Sequence, residues 1–279
     1  MPRAVLALAL LALAGCGGGS DPAAPAPAPA PAPKAAHGLY PAAGARLFLD
    51  CRGAGPRTVV LDSGLGVDSN ATWAAVRPAV ARFARVCQYD RAGMGSSPPG
   101  PRPRTSQRMV DELHALLHAA EVKPPYVLVG ASFGGLNAQL FASEHPREVA
   151  GVVLVDGLHP DLDRRIETIL GRRASAERRK ALARNGEGVR FADILASDAQ
   201  VRAHRAFPAV PLVALKHGIS FDPGGEPDPR VERMWGALQR ANAARSPRGR
   251  VVLAPRSHHR IAENQPEVVV AAIRQIASG

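Results

Sequence analysis

The stretch Tyr126-Val127-Leu128-Val129-Gly130-Ala131-Ser132-Phe133-Gly134 decides the fold. Its first half is a short apolar, β-branched run that suits a parallel strand buried on both faces. Beyond it, Leu136, Leu140 and Phe141 recur at helical spacing towards Ser143. A strand, a sharp turn and a helix would push the Ser132 hydroxyl out at the carboxyl end of a sheet. Glycine at 130 and 134 lets the turn form and lets strand and helix pack closely.

Working outward, strand and helix signals alternate. Strands are predicted at Arg46–Cys51, Thr58–Leu61, Val86–Tyr89, Val149–Asp156, Pro211–Leu215 and Arg250–Ala254. Between them lie a helix carrying Trp73, Val76 and Val80, and one capped by Thr105 that carries Met109, Leu113, Leu116 and Leu117. Helices at 230–245 and Pro266–Ile276 complete the chain, and residues 160–206 are charged and helical in pattern. Such alternation implies an α/β domain with a mostly parallel sheet covered on both faces.

The chain has 279 residues, which leaves one domain of about 240 once a processed start is removed. Aromatics make up only 4%, so aliphatic side chains must build the core. The net charge of +11 comes almost wholly from arginine, with lysine only at 34, 123, 180 and 216. Nucleic-acid binding would want one basic face with stacking aromatics. Here the arginines are dispersed, so no nucleic-acid partner is expected.

The N-terminus reads as a targeting segment. Arg3 supplies a positive start, and Ala4 to Ala14 form an eleven-residue apolar run too short to span a bilayer. Leu13-Ala14-Gly15-Cys16 resembles the lipobox of bacterial lipoproteins, which implies cleavage after residue 15 and lipidation of Cys16. An ordinary secretory signal with an incidental cysteine is the alternative, and both readings export the chain. Residues 16–37 form a spacer in which Pro and Ala alternate from Pro22 to Pro33. At ~3.1 Å per residue this polyproline-type tether would hold a domain at 38–279 about 35–40 Å from the lipid. Gly17 lacks the aspartate that retains some lipoproteins at the inner membrane, so anchoring to the outer membrane, facing the periplasm, is favoured over the inner one. In an exported chain Cys51 and Cys87 form a disulfide if their strands are neighbours, closing a 36-residue span; two buried free thiols are the alternative.

Residues 45–277 resemble the α/β-hydrolase fold. Four motifs carry the resemblance: Leu61-Asp62-Ser63-Gly64-Leu65-Gly66 where that family has its oxyanion loop, Tyr89-Asp90-Arg91-Ala92-Gly93-Met94-Gly95-Ser96-Ser97, the turn around Ser132, and the histidine loop Ser257-His258-His259-Arg260-Ile261 running on to Gln265-Pro266-Glu267. The family's sheet order sets the second and fourth strands side by side, which implies the Cys51–Cys87 bridge. It also implies a short helical cap over the site, here residues 160–206.

The resemblance implies a serine hydrolase. Ser132 needs a general base. The loop register selects His259, with His258 as the one-residue alternative, while His217 is read as capping a strand end. The acid is Asp156, closing the strand Val152–Val155, or Asp222, in a Pro/Gly loop; a carboxylate fixed at a strand end is the better organised. Backbone N–H groups of Leu65 and Phe133 would form the oxyanion hole. Asp90 and Arg91 are read as pinning a turn. His114 and His118 stand four apart on a helix, but no third ligand accompanies them in sequence, so no metal is expected, and no organic cofactor is implied. Cleavage of a small carboxylic ester is the first expectation. Thioesterase, amidase or acyltransferase chemistry on the same residues is the second, and a catalytically silent, tethered binding protein is the third.

Overall fold

The computed structural model describes Met1 and residues 36–182, 184–220 and 228–279. The signal segment, Cys16, most of the tether and Asp222 therefore lie outside the described residues.

Eight strands form one sheet: β1 (His37–Ala42), β2 (Ala45–Arg52), β3 (Thr58–Asp62), β4 (Arg85–Asp90), β5 (Tyr126–Ala131), β6 (Val149–Val155), β7 (Leu212–His217) and β8 (Gly249–Ala254), in the order β1-β2-β4-β3-β5-β6-β7-β8. β1 pairs antiparallel with β2, and β2 antiparallel with β4; every other pairing is parallel. The helices are α1 (Ser69–Trp73), α2 (Val76–Val80), α3 (Ser106–Ala119), α4 (Gly134–Glu144), α5 (Leu162–Leu182), α6 (Phe191–Ala203), α7 (Pro229–Ala243), α8 (Ile261–Asn264) and α9 (Pro266–Ala277). This is the α/β-hydrolase fold.

The inner parallel strands β3, β5, β6 and β7 are mainly apolar because both faces of the sheet are covered there. Leu128 and Leu154 point into a core that includes Leu113, Leu117, Leu140 and Phe141. Their neighbours Val127, Val129, Val153 and Val155 point into a second core with Trp73, Val80, Ile273 and Ile276. The period-2 alternation of a strand produces that division.

Three elements differ from expectation. β1 was not marked by the sequence, because Gly38 and Pro41 interrupt its alternation; as an edge strand it tolerates both. It reaches back into the spacer as read from sequence: Ala36 is buried, and its carbonyl accepts the Cys51 N–H at 2.8 Å. The single helix expected around Trp73 is two short ones, since Pro78 has no N–H to continue a ladder from α1 and is accommodated only in the first turns of α2. α5 is broken at Gly171, where φ is 82°. Cys51 and Cys87 face each other in the β2–β4 register and are disulfide-bonded.

Parallel register also fixes the site. Asp62 lies beside Gly130, Ala131 beside Val155, and Val155 beside Leu215. The residues that follow β3, β5, β6 and β7 thus emerge together at one edge of the sheet, where open α/β sheets bind ligands.

Candidate active site

Ser132 follows β5 in the left-handed region, at φ 49°. A non-glycine residue there costs of order 1–3 kcal/mol unless its surroundings over-determine it. Here they do. The Ser132 N–H donates to Val155 O at 3.1 Å and its carbonyl accepts from Gly135 and Leu158 N–H at 3.0 and 2.9 Å. The flanking glycines are sterically required: a Cβ at 130 would lie 2.3 Å from Gly134 O, and one at 134 would lie 2.5 Å from Asp62 O.

Asp156 follows β6 in a similar conformation, φ 47°, and is fully buried. Its Oδ2 accepts from His259 Nδ1 at 2.7 Å and from His217 Nδ1 at 2.6 Å. Its Oδ1 accepts from Trp235 Nε1 at 2.8 Å and from the His217 backbone N–H at 3.3 Å. Four donors fill the four lone-pair sites of one carboxylate. Burial alone would raise the Asp156 pKa, but the bonds from His217 and His259 outweigh it and hold it at about 2. With Nδ1–H committed to Asp156, the His259 Nε2 is left as an acceptor, and it stands 3.0 Å from Ser132 Oγ. Asp156, His259 and Ser132 therefore form one hydrogen-bonded chain.

Behind it lies a second chain. His217 ends β7, and its Nε2 faces both Glu232 carboxylate oxygens at 3.1–3.2 Å. Burial lowers its pKa, yet the bond to Asp156 and the charges of Asp156 and Glu232 raise it overall. Glu232 and Trp235 are three apart on α7, so one helix face supplies both.

The loop after β3 stands over Ser132: a Cβ on Gly64 would lie 3.5 Å from Ser132 Cβ. Among the described residues neither the Leu65 N–H nor the Phe133 N–H donates a hydrogen bond. The loop is held by Arg91, whose buried guanidinium donates to Ser63 O and Gly64 O, each at 2.7 Å, and to the Asp62 carboxylate.

The structure joins Ser132, His259 and Asp156; Phe133 follows Ser132 in the chain, and Leu65 follows Gly64 in the loop that stands over Ser132. The alternative base His258 is exposed and does not belong to this chain of bonds. His217 does more than cap a strand end: its side chain is part of the site. Arg91 pins the β3 loop, whereas Asp90 holds its own turn by accepting the Ser96 N–H at 2.9 Å. Sequence reasoning missed Glu232, Trp235 and the role of His217. The signal was there in part, since His217 closes β7 as Asp156 closes β6, but the β6–β7 register was needed to aim it.

The family model described as alpha/beta hydrolase fold matches residues 57–208. The chain belongs to that family. Among relatives, the protein YqjL of Bacillus subtilis (strain 168) is 27% identical over 226 residues, spanning 81% of this chain and 85% of YqjL. The 2-hydroxymuconate semialdehyde hydrolase of Pseudomonas sp. (strain CF600) is 38% identical over 116 residues, 41% of either chain. The crystal structure of the enol-lactonase from Burkholderia xenovorans LB400 superposes with a TM-score of 0.62 at 18% identity, covering 86% of this chain and 100% of that one.

Among the described residues of this alpha/beta hydrolase, two clusters hold metal-ligand donor types close together. Asp156, His217 and His259 offer ligand atoms within 4.8 Å of one another, but the nitrogens facing Asp156 are spent on hydrogen bonds. Elsewhere, the half-buried His145 and Glu148 stand beside His114 as the further ligand types that the sequence did not place there. The His114 and His145 rings are stacked, however, 4.0 Å between centroids and 7° between planes. An ion bound by imidazole lies in the ring plane, and two parallel rings share no such point. The cluster instead carries a 3.1 Å contact between His114 Nε2 and Glu148 Oε1.

Proposed function

We propose that the protein is a serine hydrolase that cleaves carboxylic esters, lactones included, through an acyl-enzyme. The observation that carries this reading is the chain Asp156–His259–Ser132, with bonds of 2.7 and 3.0 Å at the mouth of a strained turn. His259 Nε2 takes the Ser132 proton as Oγ attacks the ester carbonyl. Asp156, kept ionised at any ordinary pH, orients the ring and stabilises the imidazolium that forms. The developing oxyanion takes hydrogen bonds from the Leu65 and Phe133 N–H groups; one such donor contributes about 10²–10³-fold in kcat. His259 then protonates the leaving alcohol, and water deacylates Ser132 by the same route.

The semialdehyde hydrolase and the enol-lactonase are both, by name, hydrolases of small molecules, which supports small substrates here. Thioester, amide and acyl-transfer chemistry use the same residues and belong in the same assay. We further infer export and a lipid anchor at Cys16, supported by the apolar segment ending Leu13-Ala14-Gly15-Cys16 and by the disulfide, a bond that persists in oxidising compartments.

The test is a panel of esters and lactones of graded acyl size on the oxidised protein, beside Ser132→Ala and with fluorophosphonate labelling. Turnover and labelling are expected in the wild type, with a loss of at least about 10³-fold in the variant. A folded wild type that neither turns over nor takes the label would overturn the enzyme reading in favour of a tethered binding protein.

A further inference from the structure

The turn between α5 and α6 is tied to the loop after β3 by an ion pair that the steps above leave without a part. Glu187 sits in this turn with its side chain fully buried. Its Oε1 and Oε2 accept from Arg91 Nη2 at 2.5 Å and Nε at 2.8 Å, a two-point fork. The same Oε1 accepts the Gly66 N–H at 2.7 Å. Arg91 and Gly66 thereby compete with burial for the Glu187 carboxyl and hold its pKa down.

The geometry of one peptide unit gives these contacts a consequence. Gly64 O, the acceptor of Arg91 Nη2, and the Leu65 N–H belong to the same trans peptide and point in opposite directions. Fixing that oxygen against Arg91 fixes the aim of the N–H. Glu187 fixes Arg91, and by holding Gly66 it fixes the next peptide unit as well. The turn itself is stiff. Asn185 Nδ2 donates to Leu182 O and Val189 O at 2.7 and 2.8 Å, and its Oδ1 accepts the Val189 N–H at 3.0 Å. It also presses on the loop: a Cβ on Gly66, which has φ +66°, would lie 2.9 Å from Asn185 Cβ.

We propose that Glu187 is a positioning residue through which the cap completes the oxyanion hole, acting by way of Arg91 and the Gly66 amide on the Leu65 N–H. The inference rests on the serine-hydrolase reading of the site. It gives the turn between α5 and α6 a positioning part in catalysis, and it explains how a loop with Ser63 beside Gly64 is kept in shape.

The experiment compares Glu187→Gln and Glu187→Asp with the wild type on the best ester of the panel. Folding is checked by far-UV circular dichroism and melting. Glu187→Gln is expected to lower kcat about 10–100-fold with KM within about 2-fold, less than deletion of a donor because the N–H is misaimed and not removed. Affinity for a boronic acid, which forms a tetrahedral adduct on serine, is expected to fall in step with kcat. Glu187→Asp keeps the charge but is one methylene short of reaching both Arg91 and Gly66, so a smaller loss in the same direction is expected, and it stands in if the glutamine variant does not fold. A merely structural ion pair would lower the melting temperature and leave kcat and boronate affinity unchanged in folded protein; that result overturns this inference alone. Lack of Ser132-dependent turnover in the wild type would remove the serine-hydrolase reading, and this inference with it.

Discussion

Asp156 and Glu232 face the two nitrogens of His217 from opposite sides, at 2.6 Å and 3.1 Å, with Lys216 Nζ a further 3.8 Å from Glu232. This arrangement has a pH signature. The folded pKa of His217 is raised, so its pairing contributes fully below the unfolded value of about 6.5 and is lost as pH rises through the folded value. Above that point a bare Nε2 faces a carboxylate. Asp156 behaves oppositely: held at about 2, its contribution is present above about 3.9 and fades only in strong acid. Melting curves of the wild type and His217→Gln should therefore differ more at about pH 6 than at about pH 9. The difference is expected to be a few degrees in a domain of this size. A gap that stays constant or widens towards alkali would show that His217 is not charged between its two acids. Asp156 itself was legible from sequence because it closes an apolar strand. His217 was half legible, since its side chain acquires meaning only once β7 lies beside β6 and α7 brings Glu232 and Trp235 across.

Among the elements, β2 and β4 are the pair under covalent constraint. Cys51 and Cys87 stand opposite each other in an antiparallel register and close a 36-residue loop that contains β3, α1 and α2. Loop-closure entropy puts the bridge at about 3–4 kcal/mol, which in a domain of this size corresponds to a melting temperature lower by roughly 7–15 °C once it is opened. Melting of the double variant Cys51→Ala, Cys87→Ala against the oxidised wild type checks this, and equal melting temperatures would sink it. The bridge also bears on how the elements could be read. The buried parallel strands announce themselves as runs such as Val152-Val153-Leu154-Val155, because both faces need apolar side chains. β1 announces nothing: it is an edge strand whose Leu39 is exposed and whose Pro41 interrupts the alternation, and its partner decides its conformation. The cap turn was equally silent. Glu187 is one acid in an arginine-rich segment, and only the folded path of Arg91 selects it.

At the scale of the whole molecule the question is what holds this domain where it works. The net charge of +11 is dispersed, and no helix among the described residues is long and apolar enough to cross a membrane. On the lipoprotein reading proposed above, attachment depends on lipid at Cys16, and lipid and charge separate cleanly by experiment. At about 1 M salt the Debye length falls to about 3 Å, so attraction between arginines and anionic headgroups is screened. Acyl chains are unaffected, each buried methylene contributing about 0.8 kcal/mol, and two or more chains give the stable anchoring that one does not. Expressed in a bacterial host, the full chain should stay in the membrane fraction through a high-salt wash, partition into detergent and incorporate labelled palmitate. Cys16→Ser should abolish the label and release the protein. Retention of that variant at low salt with release at high salt would assign the membrane to the arginines. A wild type already soluble in the periplasm would mean that the first sixteen residues are a secretory signal with an incidental cysteine.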